Sequence, residues 1–447
     1  DVLVAGVLSN VDINSTSVVE IPGATAVITL NSFSGLAVGD LSLQYDPGNG
    51  SGYQPLPVID NGDGSGTVNF GEFTLAAGSD HVDLRVKAAY AGTFNYLIVV
   101  KDGAGNDFAE ENGTATIFSL AQNTTALKDA LAASQKYIKY EGAELDLGGL
   151  TVSAGTEITI AANVTLKDSG SGKLDGTLTV LKEAKLTIDV GVSPSGDGTI
   201  KVESGGTLSN LAEEDVWQDG NVIFVLEKGA TADQGGVPWI GNADSDVAEI
   251  TSGSITMSGQ TEITVSGNVD IKGDYLVPAG LKLTLSADST LTVKEGVMLT
   301  IDEKAVLQGS GTITVEQGGA LINLAEEDVW QNGSVTFVVK AGATANQGGV
   351  LWIGDDSNTM AEITSGSISL TKDDGITLNG VVTVKQNMTI SNPLVINSGA
   401  AIVGADNSTT LTLGAGAAVT GSEALSSGLE AGKTYTWGGT DWQEVSP

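Results

Sequence analysis

A chain of 447 residues with 55 acidic and 20 basic side chains, a net charge of −35 and no cysteine excludes several classes at once. So acidic a surface repels nucleic acid and anionic membrane, and without thiols there are neither disulfides nor thiolate metal sites. No stretch is apolar and long enough to span a bilayer as a helix, so membrane insertion is not expected. The 60 glycines, set among valine, threonine, isoleucine and leucine, point to many short strands joined by tight turns. That makes an all-β chain with room for two or three domains. The charge comes from scarce bases and not from acidic blocks, and it suits divalent cations, high salt or plain solubility. The sequence opens at Asp1 and not at methionine. We therefore expect a processed, exported chain, secreted or held at a cell surface.

Val2, Leu3, Val4, Ala5, Val7 and Leu8 make residues 1–10 apolar on both faces, where a solvated terminal strand would alternate. Two readings fit. The segment is the first strand of its own sandwich, or it inserts into the sandwich of a neighbouring subunit as a donor strand. The second makes other copies of this chain the partner, and it is the assembly strand expected here.

Residues 1–121 read as short strands, among them 27–30, 41–45, 82–86 and 94–99, with turn clusters at 46–50, 60–64 and 101–105. Such spacing argues for a β-sandwich. Asp40-Leu41-Ser42-Leu43-Gln44-Tyr45, Gly71-Glu72-Phe73-Thr74-Leu75, Leu84-Arg85-Val86-Lys87 and Ala91-Gly92-Thr93-Phe94-Asn95-Tyr96 resemble the Ig-like modules of bacterial surface proteins. Within this region Asn61, Asp63, Ser65 and, at the twelfth place, Glu72 follow the outline of a calcium loop. The usual first aspartate is asparagine, and the flanks read as strands. Asp-Gly and Asn-Gly are also what a hairpin turn requires. Calcium is the one cofactor the sequence raises. His81, between Asp80 and Asp83, reads as a surface or turn residue.

Residues 122–139 hold one helix, expected over 123–137 and capped by Asn123 or Thr124, with Ala126, Leu127, Ala130 and Leu131 at helical spacing. Its task is to cover an open sheet end that would otherwise pair with another chain. From residue 140 to 447 brief alternating strands follow closely, with glycine, asparagine or aspartate at the corners. Leu145-Asp146-Leu147, Glu157-Ile158-Thr159-Ile160 and Leu178-Thr179-Val180 are examples. This text resembles the right-handed parallel β-helix of pectin-lyase-like surface proteins. Coils of about 22 residues would give about 15 coils, a rod of about 70 Å at ~4.8 Å per coil. Residues 435–442 are expected to fold over its far end.

Asn210-Leu211-Ala212-Glu213-Glu214-Asp215-Val216-Trp217-Gln218 recurs further along as Asn323-Leu324-Ala325-Glu326-Glu327-Asp328-Val329-Trp330-Gln331, and the same offset is kept on either side without insertion. Between 205 and 257 roughly two-thirds of positions are identical in the second copy, the signature of stacked units that bury their faces on one another. Trp217 and Trp330, with Trp239 and Trp352 in the paired Gln-Gly-Gly-Val-x-Trp-Ile-Gly segments, offer a platform on which sugar rings would stack. Extracellular glycans would then be partners. The plainer reading has each tryptophan plugging a corner where the coil widens. Thr290, Thr292, Thr312 and Thr314 make a threonine ladder of the kind that presents a flat hydroxyl face. Sequons such as those at Asn14, Asn163 and Asn387 leave glycosylation open.

Pectin-lyase-like enzymes cleave acidic polysaccharides with calcium-binding carboxylates and a basic residue. Here the lone arginine, Arg85, and the lone histidine, His81, fall outside the helical coils. Asp355-Asp356 and Asp373-Asp374 are adjacent pairs, which point to opposite faces of a strand. The expectation is thus a non-enzymatic extracellular structural subunit that self-associates head to tail into a filament or surface layer, since a heterologous contact does not close. The alternatives are a carbohydrate-binding adhesin that uses its tryptophans and, further off, a polysaccharide lyase.

Overall fold

The computed structural model describes residues 3–7, 9–14, 21–46, 52–75, 81–210, 221–233, 248–258, 261–324, 335–346, 352–353, 361–371 and 375–445. The chain divides into two compact units, Asp1–Thr179 and Val180–Pro447. It carries a right-handed-type β-solenoid of about 11 turns.

In the first unit, two antiparallel sheets come first. One orders Asp107–Ala121, Gly92–Lys101, Ile21–Ser34, Gly66–Asn69 and Val58–Asp60; the other orders Ser9–Asn14, His81–Ala88, Leu41–Asp46 and Gln54–Leu56. Period-two alternation turns Ile28, Leu30, Phe94 and Ile98 of the first sheet and Leu43, Leu84 and Val86 of the second into one buried cluster. Each of the four strands expected from the sequence lies within one of these. Pro55 sits in the edge strand Gln54–Leu56, where its missing N–H costs no ladder bond.

The pattern then changes from antiparallel to parallel. Ser119 to Ala121, the end of a long strand, pair in parallel with Ile138 to Tyr140, and Tyr137–Tyr140 pairs in parallel with Glu157–Ile160. The helix Thr124–Ala132 occupies the intervening link. The Asn123 side chain accepts a bond from the Ala126 amide at 2.9 Å, and Leu127 is fully buried. The helix is shorter than its apolar spacing suggests because Ser134 adopts φ 59° and Tyr137 already begins a strand.

Coils follow by a common rule: valine, isoleucine and leucine side chains point in, most threonines and the lysines point out, and a glycine often marks the corner. Their length varies. Ile376 faces Leu394 across one turn, whereas the next turn takes a longer circuit before Leu394 faces Val419. This variation, and the residues spent between forward coils, bring the expected 15 turns down to about 11.

One expectation needs correction: the stack is not parallel throughout. Ser254–Ser258 runs antiparallel to both of its neighbours, Ile223–Glu227 and Glu262–Ser266, and Ala248–Ile250 runs antiparallel to Asn268–Ile271. The chain thus travels one arc of a coil backwards, turns, and resumes forward. The second copy of the repeat does the same in the same register. Ser367–Thr371 runs against Thr336–Lys340 and Gly375–Leu378, and Ala361–Ser365 against Val381–Val384. Ile255 and Met257, like Ile368 and Leu370, remain buried. An alternating strand offers the same inward side chains whichever way it runs.

Glycine makes the crossing possible. Gly253 and Gly267 lie back to back with φ of 73° and 85°, and a Cβ on either would sit 2.9 Å from the other's Cα. Gly366 and Gly380 repeat the contact at 2.7 Å. Beside them the Asn268 amide donates to Ser252 Oγ at 2.9 Å, and the Val381 amide to Ser365 Oγ at 3.2 Å.

At the C-terminal end Thr434–Trp437 pairs antiparallel with Thr410–Leu413 and with Trp442–Glu444. Trp437 and Trp442 are buried edge to face with centroids 5.1 Å apart, and Trp442 Nε1 donates to the Ile402 carbonyl at 2.9 Å. This hairpin extends the sheet that Thr410–Leu413 belongs to.

Candidate functional site

The apolar N-terminal stretch is accommodated within its own chain. Leu3 and Val4 pair in parallel with Ile117 and Phe118, the Gly6 amide donates to the Ala88 carbonyl at 2.8 Å, and Ser9–Asn14 pairs along His81–Ala88. The segment therefore crosses from one sheet to the other. Val4 is buried, Leu3 and Ala5 pack on the core cluster, and Val7 is 49% exposed. Asp1, Val2 and Leu8 lie outside the described residues. In one chain the apolar character of Leu3, Val4 and Ala5 is satisfied as the first strand of its own sheet pair.

The calcium outline falls on a hairpin. Asn61 to Ser65 connect Val58–Asp60 to Gly66–Asn69, and the Asn61 amide donates to the Ser65 carbonyl at 3.0 Å. Asp63 Oδ1 accepts from Ser65 Oγ at 2.6 Å and from the Ser65 amide at 2.9 Å, bonds that hold its carboxyl below the usual range. Asn61 Nδ2 donates to Ser65 Oγ and to Thr67 Oγ1. Glu72 lies beyond the next strand and is exposed. Among the described residues no three histidines, aspartates or glutamates converge as a metal site.

Trp217, Trp239 and Trp330 lie outside the described residues. Trp352 is in the short strand Trp352–Ile353, which pairs antiparallel with Ala345 and Asn346. His81 opens the strand His81–Ala88 and is not in a turn. The guanidinium of Arg85 stands 3.5 Å from the centroid of Tyr53, a cation–π contact that fixes the lone arginine on the sheet surface. The threonine ladder is in register: Thr290 faces Thr312, which faces Thr336, and Thr292 faces Thr314.

A second surface feature joins neighbouring coils. Lysine and an acid at coil spacing form ion pairs from one turn to the next: Lys294 with Asp270 at 2.8 Å, Lys340 with Glu316 at 2.8 Å and Lys167 with Glu144 at 2.7 Å. Lys272 with Glu249, and Lys385 with Glu362, recur in both copies of the repeat across the reversed arc. Each is half-exposed and worth little alone. Asp146 staples neighbouring coils more tightly. It accepts from Ser169 Oγ at 2.6 Å and from the amides of Ser169 and Gly148 at 2.9 and 2.8 Å, which draws its pKa down to about 2.

A stack of short coils with repeated surface features and outward-facing threonine is a scaffold geometry, and one comparison bears on it. The chain is similar, at 27% identity over 295 residues, to adhesin BmaC autotransporter of Brucella suis biovar 1 (strain 1330). The match takes in 59% of this chain and 8% of that protein, so the chain spans less than a tenth of its relative's length. No protein-family model matches the sequence. Among the described residues no helix is long and apolar enough to cross a membrane.

Proposed function

We propose that this chain is the adhesive, non-enzymatic part of a cell-surface protein, in which an N-terminal Ig-like sandwich leads into a solenoid that carries glycan-binding segments away from the cell. The observation that carries the reading is the regular solenoid with its internal repeat, in a chain distantly similar to an autotransporter adhesin. Trp217, Trp239, Trp330 and Trp352 are the residues proposed to stack on sugar rings.

Filament growth by donor-strand insertion ranks second. It would need a neighbouring copy to supply the pairings that Leu3–Val4 and Ser9–Asn14 already make with their own chain. Calcium at the Asn61 turn ranks lower still, because Asp63 is engaged by Ser65.

A printed array of neutral and acidic glycans tests the proposal. The wild-type chain should bind a subset saturably. The Trp217→Ala/Trp330→Ala variant should lose that binding with its melting temperature unchanged. A lowered melting temperature with binding retained would return both tryptophans to a packing role. No binding by the wild type, together with concentration-dependent filaments in electron micrographs, would favour the structural subunit.

A further inference from the structure

Forward coils and reversed arcs differ in the length of chain that each pairing must close. In the forward coils a rung of the ladder joins residues a full circuit apart. Ile376 faces Leu394, Glu262 faces Lys282, Thr290 faces Thr312 and Leu394 faces Val419, separations from 18 (376 to 394) to 25 (394 to 419). In the reversed arcs the rungs are local. Ser258 faces Glu262 and Ser254 faces Ser266, separations from 4 (258 to 262) to 12 (254 to 266). In the second copy Thr371 faces Gly375 and Ile368 faces Leu378, from 4 (371 to 375) to 10 (368 to 378). These ladders have five and four rungs. Two other local antiparallel ladders among the described residues of this unit are shorter. Ala345 and Asn346 make two rungs with Ile353 and Trp352, and Thr434–Trp437 makes three with Trp442–Glu444.

The separation sets the entropy of starting. Bringing the ends of a loop together costs more as the loop lengthens, and nothing offsets that cost until the ends meet. A ladder begun at its shortest rung and zipped outwards needs one small closure, and hairpins form in about 1–10 μs. A forward coil must fix its whole circuit before the first rung exists, which makes non-local pairing slow.

A lone hairpin is marginal in water and needs an apolar face to persist. Both arcs have one. Ile255 and Met257 lie with Ile263 and Val265, and Ile368 and Leu370 with Ile376 and Leu378, all buried. Each arc also has a forward strand on either side. Ile223–Glu227 and Lys282–Leu285 flank the first, and Thr336–Lys340 and Leu394–Ile396 flank the second. A formed hairpin therefore offers two edges on which forward coils can add, one towards each end of the stack. We propose that the reversed arcs are the folding nuclei of the solenoid, one carried by each copy of the repeat, and that they template the forward coils outwards. In a quasi-one-dimensional stack either nucleus can start the whole, so the two act as alternatives.

Pulsed hydrogen exchange read by mass spectrometry, on the full chain refolding from urea, tests this. Amides of Ser254–Ser258, Glu262–Ser266, Ser367–Thr371 and Gly375–Leu378 should gain protection before those of Thr290–Val293 and Thr312–Val315. Ile255→Val or Ile368→Val alone should slow protection of the forward coils less than about two-fold, because the other nucleus remains. The two together should slow it about five-fold. Ile301→Val/Ile313→Val makes the same deletion at buried sites in forward coils, and should leave refolding within about two-fold while unfolding speeds up about five-fold. Crosslinks give a readout that does not depend on weakening the fold. Oxidised Thr256→Cys/Thr264→Cys should refold faster than its reduced form. Oxidised Thr292→Cys/Thr314→Cys should not, although it closes the longer loop and so removes more entropy from the unfolded chain. Protection of the forward coils before or together with the arcs would overturn the proposal. So would first protection at Thr434–Trp437, or faster refolding from the Thr292→Cys/Thr314→Cys crosslink alone.

Discussion

In the first copy of the repeat Lys201 lies between two glutamates, 3.8 Å from Glu203 and 2.9 Å from Glu227. In the second copy Thr314 stands where Lys201 was, Glu316 keeps the place of Glu203, and Lys340 has replaced Glu227. Lys340 reaches Glu316 at 2.8 Å. The ion pair survives although its base has moved to the neighbouring coil. The glycine crossings did not move: Gly253 with Gly267 and Gly366 with Gly380 hold the same places in both copies. Coulomb attraction between half-exposed groups accepts any arrangement that brings opposite charges together. A backbone crossing with no room for a Cβ accepts only glycine.

The comparison can be broken first in the core. Phe224 and Phe337 are equivalent and fully buried. Truncation of either to alanine should cost about 3–5 kcal/mol, and nearly the same in both copies. Urea unfolding reads this, and a difference of several-fold between the two would mean that the copies are packed differently.

The crossing comes next. Gly267→Ala meets both a positive φ and the Gly253 backbone, and should destabilise by about 2–4 kcal/mol. Gly280 has a similar φ of 82° with nothing within 4 Å, so Gly280→Ala should cost only the conformational strain, about 1–2 kcal/mol. Equal losses at the two positions in thermal unfolding would show that strain, and not the close approach, demands glycine at Gly267.

The smallest effect is the charge swap. Lys201→Ala leaves Glu203 and Glu227 side by side and should cost about 0.5–1 kcal/mol at low salt, more than Lys340→Ala, which leaves Glu316 alone. Both losses should shrink in 1 M salt, where the Debye length is about 3 Å. A salt-independent loss would assign these lysines to packing of their stems.

Much of the fold was readable from the residues because it depends on local rules. Alternation located the strands, Asn123 announced the helix start, and the recurrence of 210–218 at 323–331 announced the stack. Strand direction was not readable. Ser254–Ser258 reads polar, apolar, polar, apolar, polar from either end. The available signal was the corner Thr251-Ser252-Gly253-Ser254, repeated as Thr364-Ser365-Gly366-Ser367, with a second glycine at Gly267 and Gly380. For the N-terminal stretch, apolar character on both faces demanded a partner but could not name it. Pairing with its own chain and pairing with a neighbour satisfy the same amides. Ion pairs between coils stayed hidden because coil length varies, so no fixed spacing revealed them.

Each copy of the repeat reverses direction at the same place. Cysteine pairs read it directly, since the chain has no thiol of its own. Thr256 faces Thr264 and Ser369 faces Thr377 across the antiparallel pairs. Oxidation of Thr256→Cys/Thr264→Cys and of Ser369→Cys/Thr377→Cys should close an intramolecular disulfide in both, at similar rates. Neighbours so near in sequence can face each other across a ladder only where the chain turns back. Absence of the crosslink in either copy, with the variant folded, would contradict the reversed arc.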